Sequence, residues 1–226
     1  MLAVIKKELK SYFCTPIGYI FIALFLAVVS FVFYTYTFSS GYLNFEYIIW
    51  DSTVVLAFII PVLTMRMFAE EKKSGTDQLL MTSPKSMISI VLGKFLAATL
   101  VVVVAALLMF IYYGVLRYFG DVSLIEPLVA MLGLVLLAMA YISFGMFASS
   151  ITENQVIAAV ITIGFFLIIS FLQNYQGVIE MFSLVSMYQK FPQGIIALKE
   201  VVGYGSFIVL FNLLTMIVLQ RRKSIK

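Results

Sequence analysis

Long apolar runs alternate with short polar segments along almost the whole chain. Six of these runs, taken in windows of about 20 residues, are long enough or nearly long enough to cross the roughly 30 Å hydrocarbon layer of a bilayer as a helix. They cover residues 17–36, 48–68, 88–116, 124–148, 156–172 and 201–219. The pattern therefore predicts an all-α, polytopic membrane protein with six transmembrane helices.

Composition supports the membrane class and leaves little room for anything else. The chain is 63% hydrophobic and 12% charged, with a mean hydropathy of +1.09. No polar run is long enough to form a folded extramembrane module, so we expect residues 1–226 to form one membrane domain. The single cysteine, Cys14, excludes an intrachain disulfide, and the lack of histidine argues against a metal site built from Cys and His.

The basic residues predict the orientation. If both termini are cytoplasmic, twelve of the fifteen basic residues lie inside, as the positive-inside rule requires, whereas Arg117, Lys190 and Lys199 lie outside. The net charge of +4 is explained by this orientation, and we expect no binding to nucleic acid. The twelve are Lys6, Lys7, Lys10, Arg66, Lys72, Lys73, Lys85, Lys94, Arg221, Arg222, Lys223 and Lys226.

The first 15 residues have the pattern of an amphipathic helix rather than of a cleaved signal peptide. The apolar run that follows them is too long for a signal peptide, and no small-residue cleavage site comes after it. We expect residues 1–15 to form an N-terminal amphipathic interfacial helix on the cytoplasmic face, ending near Pro16. Its apolar stripe is Leu2, Ile5, Leu9, Tyr12 and Phe13, and its basic residues are Lys6, Lys7 and Lys10.

Polarity is most concentrated in residues 70–86, between the second and third apolar runs. Charges there cannot lie in hydrocarbon, where each costs about 2.5–3.5 kcal/mol at the centre. Ser74 or Thr76 is suited to cap a short cytoplasmic helix, and Pro84 stops it before the next span. The segment is either a solvated connection or, because of its apolar edge around Leu79 and Leu80, a docking element for a soluble partner.

The segment 174–200 is predicted to lie outside and is too apolar for a free loop. We expect two short outer helices that dip into the membrane interface before the last span. They form either an outer gate, with Phe191, Pro192 and Gly194 as its residues, or a lid that only packs. Pro61, inside the second run, is expected to kink that helix and to act as a hinge or simply to shape its packing.

Several motifs together resemble a known family. The pattern Glu-Glu-Lys-Lys-x-Gly-Thr-x-x-Leu-Leu-x-Thr-x-Pro from Glu70 to Pro84, followed by Gly93-Lys94, is similar to the coupling loop of type-2 ABC exporter permeases, and most of all to the gliding-motility-associated permeases. The likeness extends to Lys6-Lys7-Glu8 and to the motif at residues 147–155. It runs over nearly the whole chain.

The resemblance implies a dimeric permease, as a homodimer or with a related permease, that works with two copies of an ABC ATPase in the cytoplasmic membrane of a prokaryote. Lys6, Lys7 and Lys10 would brace the ATPase. The chain itself would be no enzyme and would bind no cofactor, with ATP and Mg on the partner. The residues that would contact and move with the ATPase are Glu70, Glu71, Lys72, Lys73, Gly75, Thr76, Asp77, Leu79, Leu80, Thr82 and Pro84.

The residues themselves are consistent with ATP being bound by another chain. They leave one main alternative to the exporter function. The only Gly-Lys, Gly93-Lys94, is followed by Phe95 and opens an apolar run, so no phosphate-binding loop is present. An ion-coupled secondary transporter would need broken helices or midplane polar groups, for which Asn212 is a weak candidate. A membrane-embedded protease using Glu70 and Glu71 would need histidine or a metal.

Overall fold

The described part of the chain is mainly helical. A computed structural model describes residues 1–39, 44–76, 86–120, 123–172 and 183–225, and over these ranges it contains helices and turns but no strand. We number the helices α1 (Leu2–Cys14), α2 (Pro16–Tyr34), α3 (Phe45–Thr64), α4 (Ala69–Lys73), α5 (Met87–Phe119), α6 (Ile125–Ile151), α7 (Gln155–Leu172), α8 (Leu184–Tyr188) and α9 (Leu198–Ile225). A π-helical turn, Thr35–Ser39, extends α2, and a 3₁₀ turn, Phe191–Gln193, follows α8.

The prediction of an all-α membrane protein is confirmed, with five helical stretches in the described ranges long and apolar enough to cross a bilayer. They are Pro16–Thr37, Phe45–Lys73, Met87–Phe119, Ile125–Ile151 and Leu198–Arg221. The fifth predicted run lies in α7, where the apolar helix is shorter and covers Gln155–Phe171. The count of six spans therefore stays a prediction.

Helix α6 is at the centre of the bundle and packs against α3, α5, α7 and α9. Its surface is notched by glycine, which lets a neighbouring helix approach closely. Gly145 lies directly against the side chain of Thr64 at the end of α3. Aromatic rings fill the space towards α7 and α9, where Phe144 stacks on Phe165 with 3.6 Å between ring centroids.

Helix α1 lies across the start of α5. A Cβ at Gly93 would lie 2.7 Å from Cγ1 of Val4, so the two helices touch at this glycine. The buried face of α1 consists of Val4, Glu8 and Tyr12, spaced four residues apart, as one side of a helix requires. Of the predicted apolar stripe only Tyr12 is fully buried, and Leu2 is exposed. The predicted placement of α1 on the membrane surface stays a prediction.

A break in the second predicted span precedes the polar segment. Pro61 lies in the last turn of α3, which ends at Thr64, and turns at residues 65–68 lead into α4. Residues 77–85, where the helix with the apolar edge was predicted, lie outside the described ranges. Ser74 is at the C-terminal end of α4, where its hydroxyl donates to the Glu70 carbonyl at 2.9 Å.

Candidate functional site

A serine near the end of α6 holds the start of α4. The Ser149 hydroxyl accepts hydrogen bonds from the backbone N–H groups of Phe68 and Ala69, each at 3.0 Å, and donates to the Met65 carbonyl at 3.1 Å. The first N–H groups of a helix have no partner within the helix, so this hydroxyl supplies what α4 lacks. The short helix is thereby fixed to the central helix of the bundle.

Lys72 makes a second link between α4 and α6. Its side chain is buried, and Nζ donates to the backbone carbonyl of Ser150. Since the carbonyl end of a helix carries partial negative charge, an ammonium group there is stabilising. Lys72 therefore anchors the polar segment, whereas the next residue, Lys73, is exposed.

Another side of α4 meets a cluster of three charges, which we call the charged node. It consists of Glu8 of α1, Glu71 of α4 and Lys94 of α5. Lys94 is only 2% exposed, and its Nζ lies 3.1 Å from Oε1 of Glu8 and 2.8 Å from Oε1 of Glu71. The exposed Lys7 approaches both carboxylates at 3.8 Å. A buried ion pair is maintained only when its partners are in place, because removing one leaves an uncompensated charge at a cost of about 3–5 kcal/mol.

Two further contacts close the site around the node. Nζ of Lys94 lies 5.3 Å from the centre of the Phe68 ring, within the range of a cation–π interaction. The Tyr12 hydroxyl donates to the Leu63 carbonyl at 3.4 Å and so joins α1 to the end of α3. Burial, the main cause, raises the pKa of Tyr12 far above its usual range and keeps the phenol neutral.

An arginine fork lies on the outer surface of the site. Arg66 donates from Nε and Nη2 to the two carboxylate oxygens of Glu70, at 2.6 and 2.5 Å. The pair is bidentate, which fixes the geometry of both side chains. Because both are partly exposed, the pair contributes at most about 1 kcal/mol to stability.

A cleft of about 620 Å³ opens between α1, the α3–α4 connection and α5. Lys7, Glu70, Thr76 and the charged node are among its lining residues. Oε2 of Glu71 is buried and finds no hydrogen-bond donor within the described part of the chain. The site thus combines buried, anchored charges with exposed polar side chains such as those of Lys7 and Thr76.

The structure places only some of the predicted coupling residues. Asp77, Leu79, Leu80, Thr82 and Pro84 lie outside the described residues. Gly75 follows α4 with φ of +71°, a left-handed conformation that favours glycine. Glu70, Glu71, Lys72, Lys73, Gly75 and Thr76 lie together in and just after α4.

Of the three lysines predicted to brace a partner, Lys7 reaches the charged node, while Lys6 and Lys10 are exposed on α1. Glu8, Ser149 and Lys94 were not named as site residues from the sequence. Lys94 was used in the charge count, in the family motif and in excluding a phosphate-binding loop. An ionisable residue inside an apolar run was the available signal for Lys94.

The predicted gate residues lie at the other end of α6. Phe191 is fully buried in the notch at Gly133, where an added Cβ would lie 2.5 Å from the ring. Gly194 ends the 3₁₀ turn with φ of +75°, and Pro192 lies inside that turn. The Tyr188 hydroxyl donates to the Ala130 carbonyl at 3.1 Å, which attaches α8 to α6 as well.

The sequence matches a known protein family. The sequence pattern of a family described as ABC-2 family transporter protein matches residues 39–224. This range contains α3 to α8 and nearly all of α9, including Glu71, Lys94 and Ser149, but it begins after α1. No curated protein matches the chain.

Proposed function

Because the chain belongs to the ABC-2 family of transporter proteins, and is thus a non-catalytic membrane subunit of an ABC transporter, we propose that it is the permease of an ATP-driven exporter. The ATPase is a separate soluble chain, and the transport cycle is alternating access. The match over residues 39–224 is the observation that carries this proposal.

The polar segment 70–86 is the contact that transmits ATP binding. When the ATPase dimer closes, α4 moves with it, and the links through Ser149 and Lys72 pass the movement to α6. Shifting the populations of two conformations from 1:99 to 99:1 requires about 5.5 kcal/mol. A rigid contact is needed to transmit this free energy. The anchoring of α4 on both sides supports this role.

ATP and Mg are bound by the partner. Lys94, the lysine of the only Gly-Lys pair, is buried against two carboxylates and is not available to a phosphate. This arrangement agrees with the sequence, in which Phe95 stands where a phosphate loop needs Ser or Thr.

Six spans and two cytoplasmic termini complete the proposal. Helix α7 has 18 residues, or about 27 Å at 1.5 Å per residue, which comes close to the hydrocarbon thickness. An even number of spans keeps the basic C-terminal tail on the same side as the lysines of α1. We place the protein in the cytoplasmic membrane of a prokaryote, among the gliding-motility-associated permeases.

The assembly we propose contains two permease chains, identical or related, and two ATPase subunits. Only 28% of the α2 span and 17% of the α9 span are buried within this single chain. These spans therefore keep large apolar surfaces for lipid or for a second permease. Phe191, Pro192 and Gly194 belong to an outer gate over the pathway, and Pro61 is a hinge where α3 turns into the coupling segment.

The test is to extract the tagged chain from its native membrane in mild detergent and to identify its companions by mass spectrometry. We expect a near-stoichiometric soluble ATPase that contains a phosphate-binding loop. Charge reversal of the exposed Lys73 should reduce its recovery, whereas the matched reversal of the exposed Arg117, on the predicted outer side, should not.

The intact permease recovered without any ATPase would contradict the exporter proposal. It would favour the ion-coupled secondary transporter, for which Asn212 is buried in α9 with an Oδ1 that has no donor in the described part of the chain. Equal loss of the ATPase in both charge-reversal variants would remove the assignment of α4 as the contact.

A further inference from the structure

We infer that Lys94 is a positioning residue for coupling: it fixes α1 and α4 to α5, so that both elements facing the ATPase move as one body with the third predicted span. This inference rests on the proposed function, because α1 and α4 are the elements proposed to contact the ATPase. Lys94 itself does not touch the partner, since it is 2% exposed.

Each of three helices contributes one charged side chain to the node. Glu8 lies 86 positions before Lys94 and Glu71 lies 23 positions before it, yet both carboxylates reach the same ammonium group. Lys7 lies near both carboxylates, but its side chain is 64% exposed and 3.8 Å away. Lys94 is thus the cation that holds the node from inside the bundle.

The neighbouring contacts restrict α1 to this position. Gly93, beside Lys94, lets Val4 of α1 approach the backbone of α5. Tyr12, two turns further along α1, is bonded to the Leu63 carbonyl. These contacts align α1 with α5 and with the end of α3, but neither of them reaches α4, so the connection between α1 and α4 depends on the charges.

Helix α4 has a separate attachment to α6 through Ser149 and Lys72. Loss of Lys94 therefore leaves α4 in place against α6 but loosens it from α1, because the exposed Lys7, 3.8 Å from Glu71, holds it only weakly. The two surfaces offered to the ATPase then move independently, and the carboxylates of Glu8 and Glu71 repel each other. A transmission defect without loss of assembly is the expected result.

The experiment uses the complete permease–ATPase complex with two spin labels on the permease. One label is on the native Cys14, which is exposed at the end of α1, and the other is on Ser74→Cys, exposed at the end of α4. Distances are measured by pulsed electron resonance without nucleotide and with ATP and vanadate. Dilution with unlabelled permease makes distances within one copy dominate.

We expect a single distance between the labels that is the same in both nucleotide states. In Lys94→Met this single distance should no longer be found, while the ATPase is still recovered at the same ratio to the permease as in the parent complex. Lys94→Arg, which keeps the charge and its donors, should restore it. Lys190→Met is the matched control, because it removes a cation paired with Glu200 at 2.6 Å on α9, far from the node.

The inference is overturned if Lys94→Met keeps the distance of the parent complex in both states. That result is expected if Lys94 is needed only for folding, because the folded variant would then hold α1 and α4 as the parent does. If Lys94→Met yields no folded complex, the parent complex decides alone: a distance that changes with nucleotide overturns the inference, and an unchanged one supports it. Recovery of no ATPase with the parent chain overturns the proposed function, and this inference with it.

Discussion

At the scale of single residues, the site is organised by a few polar side chains in apolar surroundings. Ser149, Lys72 and Lys94 each bond to a segment distant in the sequence. Where water is excluded, a polar group left without a partner is costly, so each bond fixes its two segments firmly. The sequence predicted Lys72 as a coupling residue. The structure buries its side chain against Ser150, and its role in coupling stays a prediction.

Ser149→Ala should destabilise the protein by about 1–3 kcal/mol, because the buried N–H groups of Phe68 and Ala69 lose their acceptor. The measurement is thermal unfolding in detergent. Ser143→Ala is the matched control on the same helix: Ser143 is also fully buried, but within the described residues its hydroxyl bonds only to the Ala140 carbonyl. We expect a clearly smaller loss for the control, and equal losses would show that Ser149 does not cap α4.

At the scale of elements, the end of α3 determines where the proposed coupling segment begins. Pro61 was predicted to kink the middle of a span, but α3 ends three residues after it and the chain turns into α4. A proline perturbs the backbone around it, and here an end is possible because Ser149 supplies partners for the N–H groups of the next helix. The serine comes from α6, so the sequence around Pro61 did not contain this information.

The contact between the Phe191–Gln193 turn and α6 can be tested directly. In Gly133→Ala the new methyl group would lie 2.5 Å from the Phe191 ring, so the 3₁₀ turn must shift from α6. Overpacking of this kind costs about 1–3 kcal/mol. Gly114→Ala, with nothing within 4 Å of the added Cβ, should instead be neutral or stabilising, since alanine favours helix by up to about 1 kcal/mol.

Thermal unfolding of the two glycine variants, side by side, separates the contact from the general effect of adding a methyl group to a helix. A lower unfolding temperature for Gly133→Ala alone would show that Phe191 needs the notch. Comparable stability of the two variants would argue against close packing of the 3₁₀ turn on α6.

At the scale of the whole molecule, the number of spans determines which surfaces face the ATPase. Within the described ranges, five stretches are long and apolar enough to cross a membrane, and α7 decides whether there is a sixth. If α7 spans, residues 152–154 and the segment containing Lys190 lie on opposite sides. If it does not, α4 and the C-terminal tail cannot both be cytoplasmic.

This topology predicts the reactivity of single cysteines placed in a Cys14→Ser background. Lys190→Cys should react with a membrane-impermeant thiol reagent on intact cells, whereas Glu153→Cys should react only after the cells are permeabilised. Both positions are on connections at the ends of apolar helices. Reaction of both cysteines from the same side would contradict the six-span topology.

By itself, the sequence determined the class of protein, the approximate limits of its apolar helices and the location of its most polar segment. These properties depend on local composition, since hydrocarbon excludes charge and a helix needs a fixed length to cross it. Only the tertiary structure decided that Lys94 meets Glu8 and Glu71 and that Ser149 caps α4. Such pairings depend on how helices cross, which is set by packing between residues far apart in the chain.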